Sequence, residues 1–120
     1  MATQDKSISI APYFKVHSDK MKEVKALCER FVEKTKTEPG CLYYGFTFNG
    51  DTVFCREAYQ DGDAALAHIE NVGALLGEFG KMTDMLRIEL HGPENELAKL
   101  RGPLADFKPQ YFTLEYGFRR

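Results

Sequence analysis

The sequence predicts an α+β fold with its elements in the order strand, helix, strand, strand, helix, strand. Apolar residues recur at steps of three and four after the first strand-like stretch. Two further strand-like stretches flank the dipeptide Asn49-Gly50, and a second helical stretch then separates them from a fourth strand. This order is that of the ferredoxin-like (βαββαβ) fold, an antiparallel sheet with both helices on one face.

The first half of the chain supplies one strand and one helix. The strand is predicted over residues 7–16, where Pro12 indicates a bulge or an unpaired side because proline cannot donate to a ladder. Ser18 or Asp19 is expected to be the N-cap of the helix that follows. The apolar stripe of that helix comprises Met21, Val24, Leu27, Cys28, Phe31 and Val32. Pro39-Gly40 then turns the chain into the next strand.

A hairpin is predicted around Asn49-Gly50, because this dipeptide favours a two-residue type I′ turn. Such a turn places Phe48 opposite Asp51, and behind it pairs Phe46 with Val53, Tyr44 with Cys55 and Leu42 with Glu57. Since side chains alternate between faces, one face carries Leu42, Tyr44, Phe46, Val53, Cys55, Glu57 and Tyr59. A single carboxylate among aromatic side chains is the first indication of a site.

The second half supplies a helix, a strand and an extension. Asp63 is expected to cap a helix over residues 64–72, Gly73 to bend or break it, and a fourth strand to cover 81–91. On that strand Met82, Asp84, Leu86, Ile88 and Leu90 should share one side, and Thr83, Met85, Arg87, Glu89 and His91 the other.

A short C-terminal helix over 94–100, packed through Leu97 and Leu100, and a strand over 111–118 are expected after residue 91. Leu104 and Phe107, between these elements, are candidates to pack onto the core. We therefore predict a single domain over residues 1–120, with a core of about 7–91 and a C-terminal extension of 92–120.

Composition excludes several partners. The net charge is −2, which gives no reason to expect nucleic acid, and no apolar run is long enough to span a membrane. The polar residues 1–7 do not resemble a signal peptide. Cys28, Cys41 and Cys55 lack CxxC spacing, which indicates reduced thiols and a cytoplasmic location.

The predicted sheet has one face without helices. Tyr43, Thr47 and Phe54 lie on that face in the predicted register, and an exposed apolar sheet face marks an interface with a partner. The simplest partner is a second copy of the chain, so we predict a homodimer.

Three motifs resemble the antibiotic biosynthesis monooxygenase (ABM) family. They are Glu38-Pro39-Gly40-Cys41-Leu42 followed by Tyr44, Glu57-x-Tyr59, and Asp63-Ala64-Ala65-Leu66-Ala67-His68. The resemblance covers roughly residues 8–90 and implies a dimeric α+β barrel, in which two ferredoxin-like sheets pack together. It also implies that the activity could be a cofactor-free monooxygenation of phenols or quinols, haem degradation, or isomerisation of a small sugar-derived compound.

The sequence departs from the pattern of this family in two respects, one at the glutamate-x-aromatic motif and one at the haem-binding positions. Tyr59 stands where the glutamate-x-aromatic motif usually carries Trp, and the chain contains no Trp. Haem-degrading members of the family carry Asn on the first strand, near the position of Pro12. Their His ligand lies farther along the second helix than His68 does. Haem degradation is therefore not expected.

The predicted site lies between the sheet and the second helix. His68 and Glu57 are the candidate catalytic residues, because an imidazole titrates near neutrality and burial raises the pKa of a carboxyl. Tyr44, Tyr59 and Phe46 are the candidate substrate-binding residues. Each of these five candidates also has a structural interpretation. In that interpretation His68 lies at the rim of the core, and Glu57 is a hydrogen-bonded carboxylate. No metal site and no cofactor are predicted, because the histidines are far apart and no phosphate-binding glycine motif is present.

These residues predict a cofactor-independent monooxygenase of a quinol-like or phenolic small molecule. Two alternatives remain open at this point. One is a non-catalytic small-molecule binding or stress-response protein on the same fold, and the other is an isomerase of a small carbonyl compound.

Overall fold

The computed structural model describes residues 3–120. Its five strands form one sheet in the order β2-β3-β1-β4-β5. The strands are β1 Ile8–Val16, β2 Cys41–Asn49, β3 Thr52–Tyr59, β4 Thr83–Gly92 and β5 Gln110–Thr113. The helices are α1 Met21–Thr35, α2 Gly62–Asn71, α3 Gly73–Gly80 and α4 Glu94–Arg101, and a 3₁₀ turn covers Ala105–Phe107.

The first four strands have the predicted ferredoxin-like arrangement. All their pairings are antiparallel, whereas β5 pairs in parallel with β4, so the complete sheet is mixed. The expected α+β fold class, with a C-terminal helix and strand added, is confirmed.

Two hydrophobic clusters fill the space between the sheet and the helices. One joins α1 and α3 to the C-terminal half of β1, and its buried residues are Phe14, Val16, Val24, Leu27, Cys28, Phe31, Val53, Val72, Leu75 and Phe79. The other joins α2 and α4 to the N-terminal half of β1, with Ile8, Ile10, Tyr59, Ala65, Ile88, Leu90, Leu97, Leu100 and Leu104. The candidate site lies where these two clusters meet.

The hairpin register differs from the predicted one. Asn49 pairs with Thr52, so Gly50 and Asp51 form the loop, and Tyr44 faces Glu57 rather than Cys55. Of the two loop residues only Gly50 has a positive φ, 61°, which excludes the type I′ turn. Because the loop lies one residue later, each residue of β2 pairs two positions farther along β3 than predicted. A shift of two residues leaves every side chain on the same face, so the predicted face is preserved. Leu42 is the exception, because it lies at a bulge and is exposed.

The predicted two sides of the fourth strand are wrong, because β4 contains a bulge. Tyr13 pairs with Arg87 but Phe14 pairs with Met85, which leaves Leu86 as the extra residue. Thr83, Ile88 and Leu90 are buried, whereas Leu86 is 55% exposed. The unpaired side expected at Pro12 is observed toward β3, and the bulge on β4 is a separate irregularity. Pro12 itself pairs with Ile88, while the β1–β3 pairing stops after Ile10 and resumes at Tyr13.

Both predicted helix caps are wrong by one or two residues. Lys20 is the N-cap residue of α1 and makes no side-chain cap, while Asp19 adopts a left-handed φ of 65°. Asp61, not Asp63, caps α2, and its side chain accepts a 2.8 Å hydrogen bond from the Ala64 N–H. The predicted break at Gly73 is observed, since α3 begins there after Val72.

The C-terminal extension packs mainly through α4. Leu97, Leu100 and Leu104 are fully buried, and the predicted strand is much shorter than expected. β5 ends at Thr113, and the aromatic side chains beyond it, Tyr116 and Phe118, are exposed. Within residues 3–120, every helix is too short or too polar to cross a bilayer.

Candidate active site

Glu57 lies at the centre of a buried polar cluster between the sheet and α2. Strand β3 carries it with Tyr44 of β2 directly opposite. The Glu57 residue is 5% exposed, and its Oε1 accepts a 2.6 Å hydrogen bond from the hydroxyl of Tyr59. Tyr59 is two residues farther along the same strand, so the alternation of the strand holds the donor beside the carboxylate.

His68 connects Glu57 to a second carboxylate, that of Glu38 in the loop between α1 and β2. Nε2 of His68 lies 3.5 Å from Oε1 of Glu57, and Nδ1 lies 2.9 Å from Oε2 of Glu38. A neutral imidazole has one N–H, so donation from Nδ1 to Glu38 leaves Nε2 as the acceptor that faces Glu57. The three side chains form a continuous series, which we call the Glu57–His68–Glu38 series.

Local structure fixes the position of Glu38. The side-chain amide of Asn71, at the end of α2, donates a 2.8 Å hydrogen bond to Oε2 of Glu38. Gly40 allows α2 to approach this loop closely, because a Cβ at that position would lie 2.6 Å from Cβ of Ala64. The side chain of Glu38 is 10% exposed, compared with 3% for His68, so the series runs from the interior toward the surface.

An apolar cavity of about 50 Å³ adjoins the inner end of the series. Its polar lining residues are Glu57, His68, Tyr44 and Cys55. The rings of Tyr44 and His68 lie 5.2 Å apart, and Phe46 packs edge-on against Tyr44. The remaining walls are apolar and comprise Ile10, Pro12, Phe14, Phe31, Phe46, Ile69, Leu76, Phe79, Met85, Ile88, Leu104 and Phe107.

Burial sets the protonation of the cluster. It raises the pKa of Glu57 to about 7, although hydrogen bonds from Tyr59 and Cys55 oppose the shift. Burial also lowers the pKa of His68, and the neighbouring Glu38 partly offsets this effect. The hydroxyls of Tyr44 and Tyr59 have pKa values raised by burial and stay protonated. Glu57 can therefore accept or donate a proton at neutral pH.

The cavity thiol is not poised for nucleophilic attack. Burial and the charge of Glu57 raise the pKa of Cys55 far above its usual value, which keeps the sulfur protonated. Burial raises the pKa of Cys41 to about 11 for the same reason. Among residues 3–120, no group of three or more His, Cys, Asp or Glu side chains is arranged to hold a metal ion.

Four of the five predicted site residues line the cavity. Glu57, His68, Tyr44 and Phe46 meet there, whereas Tyr59 lies behind Glu57 with 0% exposure. Tyr59 therefore contacts the carboxylate and does not line the cavity. Its ring also packs 4.9 Å from that of His68, so it supports both candidate catalytic residues.

Glu38 is the residue that sequence reasoning did not assign to the site. It lies 30 positions from His68 and in a loop, so no helical or strand spacing connects the two. The only signal was its place at the start of the Glu38-Pro39-Gly40 motif. Leu104 and Phe107 were expected only to pack onto the core, yet both line the cavity.

The fold and the site define a class of protein: a small α+β domain with a buried glutamate–histidine pair against an apolar cavity. Residues 7–73, more than half of the chain, match the family described as antibiotic biosynthesis monooxygenase (ABM). The chain belongs to this family, and family membership supports a function of the monooxygenase type.

Solved structures agree with this assignment. MupZ from Pseudomonas fluorescens is 46% identical, with 98% of this chain and 91% of MupZ covered and a TM-score of 0.93. A proposed antibiotic biosynthesis monooxygenase of Caulobacter crescentus is 25% identical, with coverage of 72% and 88% and a TM-score of 0.64. A conserved protein of Methanosarcina mazei shares the fold at 21% identity, with coverage of 72% and 91% and a TM-score of 0.65. No curated protein matches the sequence.

Proposed function

We propose that this chain is a cofactor-independent monooxygenase of a quinol-like or phenolic small molecule, and that Glu57 is the proton acceptor. One observation carries the proposal: the Glu57–His68–Glu38 series begins at an apolar cavity and ends near the surface. A base in a dry aromatic pocket, with a route for the proton, is what deprotonation of a phenol requires.

The reaction begins when the substrate hydroxyl gives its proton to Glu57. The resulting anion is electron-rich and reduces O2 directly, forming a carbon–oxygen bond. When the O–O bond breaks, one oxygen atom stays in the product and the other leaves as water. That water takes up the hydrogen from the reacting carbon and one solvent proton, which balances the hydroxyl proton released through Glu57. Tyr44 lines the same cavity and keeps its hydroxyl proton, and in this mechanism that hydroxyl donates a hydrogen bond to the anion.

His68 and Glu38 have supporting roles in this mechanism. Glu57 is enclosed, so its proton must leave through a neighbour, and Nε2 of His68 is the acceptor that faces it. The Glu38 carboxylate accepts the Nδ1–H and stabilises the imidazolium that forms when His68 is protonated. Glu38 is a positioning residue, because it does not line the cavity.

A second function, isomerisation of a small carbonyl compound, has its own supporting observation. A Glu57 pKa of about 7 suits a group that takes a proton from one carbon and returns it to another. Isomerisation consumes no oxygen, and a pure binding protein of this fold would neither consume oxygen nor change its ligand.

Oxygen uptake by the purified protein, without added metal or flavin, tests the proposal on a panel of hydroquinones and naphthalenols. We expect uptake to fall by at least 100-fold in Glu57→Gln and His68→Ala. Glu33→Gln and His17→Ala, which alter the same residue types at exposed positions, should leave it unchanged. Conversion without oxygen uptake would favour the isomerase, and saturable binding without conversion would favour the binding protein.

We also propose that the protein acts as a cytoplasmic homodimer. Members of the ABM family are generally dimeric, and one face of the sheet carries exposed aromatic side chains such as Tyr43. Three unpaired thiols, Cys28, Cys41 and Cys55, support a reducing compartment.

A further inference from the structure

The cavity beside Glu57 is too small to hold a whole substrate. Its volume is about 50 Å³, whereas pockets that bind small molecules have roughly 300–1,000 Å³. A groove of about 570 Å³ adjoins this cavity, between α3, β4 and the 3₁₀ turn Ala105–Phe107. Six residues line both spaces: Phe14, Leu76, Phe79, Met85, Ile88 and Phe107. The groove therefore begins where the cavity ends.

The C-terminal extension builds one wall of this junction. Leu104 is anchored in the core beside α4, and the 3₁₀ turn after it carries Phe107 to the boundary between cavity and groove. Lys108 adopts a left-handed φ of 52°, which turns the chain away immediately after Phe107. This wall lies outside residues 7–73, the part of the chain that matches the ABM family. It belongs to the C-terminal extension and not to the part of the chain that matches the family.

Both apolar and polar residues line the groove. Leu86, the bulge residue of β4, contributes an exposed apolar side chain to its floor. The charged and polar residues Arg87, Asp106, Lys108 and Gln110 also line the groove. Arg87 is already paired with Glu89.

We propose that the groove binds an extended alkyl or acyl arm of the substrate while the reacting group occupies the cavity at Glu57. This inference depends on the proposed function only for the identity of the reacting group. Phe107 is then a specificity-determining residue, because the arm must pass it. Apolar burial would tighten binding roughly three- to fourfold for each methylene group, up to the length of the groove.

Calorimetric titration under anaerobic conditions tests the proposal without turnover. One probe series is 2-alkylhydroquinones from methyl to octyl, and the other is straight-chain alcohols of the same lengths. We expect the dissociation constant to fall with each added methylene group and then level off. Leu86→Glu should abolish this length dependence and leave the affinity for methylhydroquinone unchanged. Leu42→Glu, a matched change at an exposed leucine outside the groove, should preserve it.

The outcomes separate this proposal from the proposed function. If the alcohols show a length dependence that Leu86→Glu removes, but hydroquinones are not oxidised, the groove is confirmed and the oxygenase is not. An affinity independent of chain length, or a length dependence that survives in Leu86→Glu, would overturn the inference. Gel filtration of both variants checks that neither substitution has changed the assembly.

Discussion

The buried carboxyl of Glu57 lowers the free energy of unfolding at neutral pH, and the same burial gives it a pKa at which it can exchange a proton. Burial raises its pKa from 4.5 to about 7, so the folded protein holds this proton more tightly than the unfolded chain does. Between these two pH values the folded state binds more protons, and the free energy of unfolding must fall as pH rises. The penalty is absent below about pH 4.5 and fully developed above about pH 7.

The first prediction concerns Glu57→Gln, which removes this titration but keeps the shape of the side chain. Relative to the parent protein, we expect the variant to gain about 3 kcal/mol of stability between pH 4.5 and pH 8. Urea unfolding at a series of pH values measures the difference, with Glu33→Gln as the exposed control. An equal pH dependence in the variant and the parent protein would show that Glu57 titrates normally.

The second prediction concerns Glu38→Gln. The amide can still accept a hydrogen bond from Nδ1 of His68, but it no longer stabilises an imidazolium. We expect kcat to fall roughly 10- to 100-fold with little change in KM, and Glu38→Asp to restore part of the loss. The pH dependence of kcat/KM should move as well, which a loss of packing alone would not produce.

At the level of single residues, much of the site was predictable from the sequence. Alternation along β2 places Tyr44 and Phe46 on one face, and a register error of two residues, unlike an error of one, leaves Glu57 on that face as well. Glu38 was not predictable, because its contact with His68 depends on how closely α2 approaches the loop at Gly40. That approach is a property of tertiary packing, not of spacing.

The elements themselves were easier to predict than their ends. The apolar period of α1 and the break at Gly73 follow from local rules, and both are observed. The unpaired side expected at Pro12 is also observed, toward β3. The bulge at Leu86 was not predicted, because no glycine or proline marks it in the sequence. The strand expected over 111–118 stops at Thr113, because Thr113 pairs with Gly92, the last residue of the partner strand β4.

The third prediction distinguishes the observed cap of α2 from the one that the sequence suggested. Asp61→Ala should lower the free energy of unfolding by about 1 kcal/mol, because the Ala64 N–H loses its acceptor. Asp63→Ala should change the free energy of unfolding by only a few tenths of a kcal/mol, since the contact of Asp63 with Lys99 is an exposed ion pair. Urea denaturation of the two variants compares them directly, and a larger effect at Asp63 would contradict the observed cap.

For the molecule as a whole, the face of the sheet opposite the helices remains to be explained. It carries aromatic side chains that contact one another and neighbouring arginines. The rings of Tyr13 and Phe54 lie 4.7 Å apart, and the guanidinium of Arg56 lies 4.5 Å from the ring centre of Tyr43. A single protomer gains little from so much apolar surface in water, whereas two copies could bury it together.

The fourth prediction is that Tyr43→Glu weakens the homodimer without unfolding the protomer. Tyr43 is 44% exposed, so its replacement leaves the protomer core intact, but a dimer would have to bury one new carboxylate from each copy. We expect the dissociation constant to rise by roughly 100-fold or more. Light scattering should then detect 13.7 kDa at concentrations where the parent protein has twice that mass. Tyr116→Glu, in the exposed C-terminal segment, is the matched control, and equal masses for all three proteins would exclude this face as the interface.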